Sequence, residues 1–244
     1  MISKLRASLV HLCGSILLAL FAVGLVYLLW YPPPMASALG VSGIFLIVLA
    51  VDVIVGPILT FIVYKVGKKT LRLDLTVIIA LQLSAFCYGL GTIAIARPAW
   101  LVFNVDRFDV AQAHELDTRF AVETRPEFRQ PPWTGPRWVA SRRPSDPKRH
   151  NQLVMESAIG GPDLPQRPDL YLPLVDEVGS IKNKAHPLNE LAQFNHKIEI
   201  DTILAKWPEA NAWLPMMAKA RPMTVLLNKN SGKIVAVVDL RPWN

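Results

Sequence analysis

Two long apolar runs, residues 39–64 and 75–96, flank one short basic stretch, and that arrangement limits what this chain can fold into. Each run exceeds the ~18 consecutive apolar residues at which a membrane span becomes the default reading. The stretch between them runs from Lys65 to Asp74 and carries Lys65, Lys68, Lys69 and Arg72 against the one acid, Asp74. Cation-rich loops between spans stay on the cytoplasmic side of a bilayer, so this loop orients everything attached to it.

A third run, residues 9–31, precedes the other two and follows Lys4 and Arg6. Ala36-Ser37-Ala38 has the form of a signal-peptidase site. However, the run is longer than the ~7–15 residues of a signal h-region, and another apolar run follows at once. A retained span is expected. Tyr27, Trp30 and Tyr31 at its far end suit an aromatic interface belt, and Pro32-Pro33-Pro34 ends the helix. The connection from there to the second run carries no charge. The positive-inside rule then places the N-terminus in the cytoplasm and residues 98–244 outside it, in the periplasm of a Gram-negative cell.

Charge supports the same division. The chain has 244 residues and a net charge of +7, of which +4 falls in residues 1–96. Most of the excess is therefore a topology signal, and a nucleic-acid partner is not expected. The expected architecture is three transmembrane α-helices in a membrane domain, residues 1–97, followed by a small α+β periplasmic domain, residues 98–244.

Both cysteines, Cys13 and Cys87, lie in predicted spans, so the external part has neither a disulfide framework nor a thiolate metal site. The second span carries Asp52, followed by Gly56-Pro57. A mid-span aspartate costs about 2.5–3.5 kcal/mol on insertion, so it needs protein, water or a partner. Equal depth on the third span suggests the hydroxyl of Tyr88, or of Ser84, as its hydrogen-bond partner. A contact to another protein's membrane helix and ion chemistry are the alternatives. Gly56-Pro57 should kink the helix.

In the external part, Trp100–Phe108 reads as a strand leaving the membrane with Trp100 anchored at the interface. Val110–Leu116 reads as a helix and Arg119–Thr124 as a strand. Residues 125–149 read as a Pro-rich basic loop, followed by a helix capped by Ser145. Arg129, Trp133, Arg137, Trp138, Arg142 and Arg143 would make this loop either a solvated surface or a docking surface for acidic groups. Met223–Asn228 and Lys233–Leu240, joined by a turn ending in Gly232, form the clearest hairpin.

No catalytic constellation is present: no HExxH, no G-x-S-x-G elbow and no phosphate-binding loop. No cofactor, metal or small-molecule substrate is expected.

One resemblance adds to this reading. Val51-Asp52 with Gly56-Pro57-Ile58-Leu59-Thr60, Gly67-Lys68-Lys69, Asp74-Leu75 with Leu81-Gln82-Leu83, Tyr88-Gly89, Ala96-Arg97-Pro98 and Val105-Asp106-Arg107-Phe108 occur in order over roughly residues 40–110. Together they resemble the type IV pilin accessory proteins. The resemblance implies a small protein of the bacterial inner membrane that aids or adjusts assembly of a cognate pilus, with the major type IV pilin as partner and no enzymatic activity. A membrane-anchored periplasmic sensor and a tethered periplasmic enzyme are the competing classes.

Overall fold

The computed structural model describes residues 2–243. Three helical segments are long and apolar enough to cross a membrane: Ile2–Trp30, Val41–Val63 and Leu71–Ile95. The first comprises α1 (Ile2–Gly24) and a π-helical turn, Leu25–Trp30. A short helix, α2 (Met35–Leu39), follows the prolines and ends at Gly40, whose φ of 71° closes the turn. The second span is α3 (Val41–Ala50), a π-helical turn (Val51–Val55) and α4 (Gly56–Val63). The third is α5 (Leu71–Ile95). It starts four residues earlier than the apolar run implies, because Asp74 is held by Lys68 at 2.7 Å and by Thr70 Oγ1 at 3.1 Å. An acid so placed also suits the positive end of the helix.

The chain leaves α5 directly into β1 (Pro98–Asn104), so the sheet hangs from the third span without a linker. β1 turns back at once into β2 (Arg107–Gln112), and the single strand expected over 100–108 is instead a hairpin. The further strands are β3 (Arg137–Ser141), β4 (Tyr171–Pro173), β5 (His186–Pro187), β6 (Ala212–Met217), β7 (Met223–Asn228) and β8 (Lys233–Val238). They form one mixed eight-stranded sheet in the order β4-β3-β1-β2-β6-β7-β8, with β5 on β6. β1 is parallel to β3, and β2 is parallel to β6. The β7–β8 hairpin is the one expected from the sequence. Helices α6 (Pro147–Ala158), α7 (Val178–Lys184) and α8 (Lys197–Leu204) complete the α+β domain.

Four sequence expectations are corrected here. Residues 110–116 continue β2 and then make a 3₁₀ turn, Ala113–Glu115, and residues 119–124 form turns. The basic stretch 125–149 is not loop throughout. Its proline-free run Arg137–Ser141 finds a partner in β1 and becomes a strand, since pairing in a sheet outweighs local propensity. α6 is capped by Asp146, whose carboxylate accepts from the Arg149 N–H, one residue beyond Ser145.

Because β1 lies in the middle of the sheet, all seven of its residues are buried. Leu101 and Phe103 on one face join Phe108, Leu214, Met216 and Val225. The same cluster continues into Tyr31, Met35, Phe45 and Ile93, so one core runs from the outer ends of the spans into the sheet. Trp100, on the opposite face, is 2% exposed and packs edge-to-face on Phe128 and Tyr171. It is a core residue and not an interface anchor.

Candidate functional site: a polar cluster within the spans

The second span gives up α-helical hydrogen bonding over Val51–Val55, the turn that holds Asp52 and runs into Gly56-Pro57. Within the π-helical turn, bonds run from residue i to i+5, so the donor for the Asp52 carbonyl would be the N–H of residue 57. Residue 57 is proline and has none. In hydrocarbon an unmet carbonyl costs several kcal/mol. Gln82 of α5 supplies the missing donor: its Nε2 lies 3.1 Å from the Asp52 carbonyl and 3.3 Å from Asp52 Oδ1. Gly56 makes this reach possible, since a Cβ there would sit 2.0 Å from Gln82 Nε2. Asp52 is 5% exposed and Gln82 is 9% exposed.

Gln82 therefore takes the part that the sequence assigned to Ser84 or Tyr88. Tyr88 lies six residues, about 9 Å, further along the helix than Gln82, so it differs in depth as well as in phase, and Ser84 differs in phase. Two residues beyond Gln82 lie roughly 200° around a helix, and six residues beyond lie about 240° around it. Ser84 and Tyr88 accordingly point outward, and Tyr88 is 80% exposed. Gly89 is on the packed side, where an added Cβ would come within 2.7 Å of Val48 Cγ2.

The first span contributes a polar stripe at helical spacing. Ser8 Oγ donates to the Pro57 carbonyl at 2.8 Å, and His11 Nδ1 pairs with Thr60 Oγ1 at 2.6 Å. Ser15 completes the stripe and is buried. His11, Gly14, Ser15, Asp52, Gln82 and Leu83 line most of a cavity of about 300 Å³ between the spans. The sequence names neither His11 nor Gln82 as part of a site with Asp52, although Gln82 belongs to the Leu81-Gln82-Leu83 motif. The signal that could have found them is the one used for Asp52: a polar or ionisable residue inside an apolar run asks for a partner.

The topology residues Lys65, Lys68, Lys69 and Arg72 are exposed around the loop between α4 and α5. The external basic residues and their tryptophans have separate partners. Arg129 is spent on the Thr124 carbonyl at 2.8 Å, and Arg142 pairs with Glu177 at 2.6 Å. Trp138 packs edge-to-face on Phe108 at 5.0 Å. Arg137 and Arg143 are exposed and form no ion pair among the described residues. Trp133 is 62% exposed and covers the Arg97 guanidinium, with its ring centre 3.9 Å from Cζ.

Several charged groups of the external part bind one another. Arg167, 2% exposed, bonds Asp169 at 2.9 Å and sits 4.1 Å over the Phe120 ring. Asp117 accepts from Arg119, which holds its carboxyl below the usual range. Burial pushes Asp109 the opposite way, with Arg107 and Asn104 beside it opposing that rise. Among the described residues no group of three or more His, Cys, Asp or Glu side chains is placed to hold a metal.

The family model for fimbrial assembly protein FimB matches residues 1–40. The fimbrial assembly protein of serogroup I from Dichelobacter nodosus is 32% identical over 241 residues, covering 95% of this chain and 93% of the relative. That of serogroup E1 from the same organism matches to the same extent. The fimbrial assembly protein of serogroups C1 and C2 is 38% identical over 113 residues, 46% of this chain and 86% of the relative. No solved structure matches.

Proposed function

Since this chain belongs to the family of these fimbrial assembly proteins, we propose that it is a non-enzymatic accessory factor of type IV pilus biogenesis, lodged in the bacterial inner membrane. It contacts the major type IV pilin and modulates its assembly. In this reading the N-terminus and the Lys65 loop lie in the cytoplasm and the sheet domain in the periplasm, an orientation supported by the charge asymmetry of the loops. A pilin subunit awaiting assembly is itself a membrane helix with a periplasmic head, so a partner with the same two-part layout can hold both halves. The spans engage the pilin helix around Asp52, and the sheet domain engages the head. The protein acts by binding and takes no small-molecule substrate.

The observation that carries this reading is the 32% identity to fimbrial assembly proteins across 95% of the chain. Support for the membrane half comes from Asp52 and Gln82, buried polar groups that are costly in hydrocarbon and whose packing is built around a glycine and a proline. Replacing Asp52 with Asn, at unchanged protein level, is expected to reduce surface pili as counted by electron microscopy. Normal piliation in that strain would remove the membrane half of the proposal.

A further inference from the structure

The cavity between the spans holds acceptors that no described residue serves. Gln82 spends its amide N–H on Asp52, and its Oε1 is buried with no hydrogen-bond partner among the described residues. Asp52 receives that one donor at Oδ1, and no described residue donates to Oδ2. His11 has already committed Nδ1 to Thr60. Around these groups lie about 300 Å³ of space, far more than a single water occupies. Lipid chains bring no donors. The Asp52 turn is also π-helical, a local irregularity that concentrates at functional sites.

We propose that this cavity receives a hydrogen-bond-donating side chain, a hydroxyl, carboxamide or ammonium, from the membrane helix of the partner. Resting on the reading above, that partner is the pilin. The complementarity is one of charge and hydrogen bonding. Asp52 and Gln82 Oε1 call for donors, and an ionised carboxylate brought beside Asp52 would meet a like charge. The incoming helix supplies the donor that no described residue gives these acceptors. Interhelical hydrogen bonds of this kind stabilise association of membrane helices.

Gly14 supplies the test. Gly14 lines the cavity and a Cβ added there meets nothing within 4 Å, so Gly14→Leu is the variant chosen to occupy the cavity and Gly14→Ala is the control. A photo-reactive residue replaces Leu83 on the cavity wall in the full-length protein, in cells making pilin, and the pilin adduct is detected by immunoblot. The adduct is expected to fall about tenfold with Gly14→Leu, equivalent to about 1.4 kcal/mol of association, and to persist with Gly14→Ala. One pilin variant, with a donor residue of its membrane helix replaced by leucine, is expected to reproduce the fall.

An adduct unchanged by Gly14→Leu overturns the inference. So does a full set of donor-free pilin variants that all crosslink normally, which would mean that the cavity holds water only. A pilin adduct from a photo-reactive residue at Trp133 but none from Leu83 overturns this inference and leaves the proposed function standing. Adducts from neither position, with both proteins at normal levels, overturn the proposed function itself.

Discussion

A single missing hydrogen atom accounts for the arrangement inside the membrane segment. Pro57 cannot donate to the Asp52 carbonyl, so the carbonyl is served from another helix, and Gly56 is the residue that leaves room for that service. The glycine is needed for close approach and not for backbone freedom, since its φ of −60° is helical. Gly56→Ala is therefore expected to push the Gln82 amide away and leave the carbonyl unpaired, a loss of about 1–3 kcal/mol. Gly91 serves as the control, because a Cβ there meets nothing within 4 Å. Thermal unfolding in detergent should show a lowered midpoint for Gly56→Ala and an unchanged or raised one for Gly91→Ala. Equal behaviour of the two variants would refute the account. The residues of this cluster were partly legible: Asp52, Gly56 and Pro57 stand out in an apolar run by chemistry alone. Gln82 escaped because the choice among Gln82, Ser84 and Tyr88 depends on helix rotation, which an almost uniformly apolar α5 does not encode.

At the scale of elements, the junction between spans and sheet is set by backbone carbonyls gathered by few donors. Arg97, 4% exposed, donates to the carbonyls of Ala94 and Pro132 at 2.8 Å each and of Pro131 at 3.3 Å. Tyr31 Oη donates to the Ile93 carbonyl at 2.9 Å and fastens the end of the first span to the end of the third. The Ala38 carbonyl accepts from the N–H groups of Ala220 and Arg221 at 3.0 and 3.1 Å, which seats the β6–β7 connection on the loop between the first two spans. Arg97→Ala is expected to release the segment 130–136, with Trp133, and to destabilise the protein by about 3–5 kcal/mol through unpaired buried groups. Limited proteolysis should then cut within 130–136 in the variant and spare the parent chain. Arg97→Lys should restore little, because an ammonium cannot reproduce the planar fork or the stacking under Trp133. Resistance of Arg97→Ala to cleavage would show that the segment is held by other contacts. Basic residues of 125–149 form one group along the sequence. The fold instead distributes them among a strand, a helix N-terminus and separate ion pairs, and sequence proximity on the two sides of β3 does not survive that.

For the molecule as a whole, the continuous core from Tyr31 and Phe45 to Leu214 and Val225 implies that the sheet cannot be positioned independently of the spans. Orientation then reduces to one binary choice, and the charge asymmetry favours the Lys65 loop on the cytoplasmic side. In a background where Cys13 and Cys87 are replaced by serine, a cysteine at Lys68 should resist a membrane-impermeant thiol reagent in intact cells whose outer membrane has been permeabilised. A cysteine at Trp133, 62% exposed, should react. The reverse pattern would invert the whole placement, including the side on which any pilin head is met.

By itself the sequence determined the elements whose signal is long, periodic or chemically costly. These are three helices of apolar composition, the basic loop, the β7–β8 hairpin with its turn at Gly232, and an aspartate in need of a partner. Such features arise from transfer to hydrocarbon or from turn geometry, both local quantities summed along the chain. Only the tertiary structure decided that Gln82 answers Asp52, that His11 and Ser15 face the same cavity, and that Trp100 is core. It also decided that residues 137–141 join the sheet beside β1. Each of these depends on which face of one element meets another. That choice is fixed by packing and by the partnering of buried polar groups between residues far apart in sequence, and no local pattern carries it.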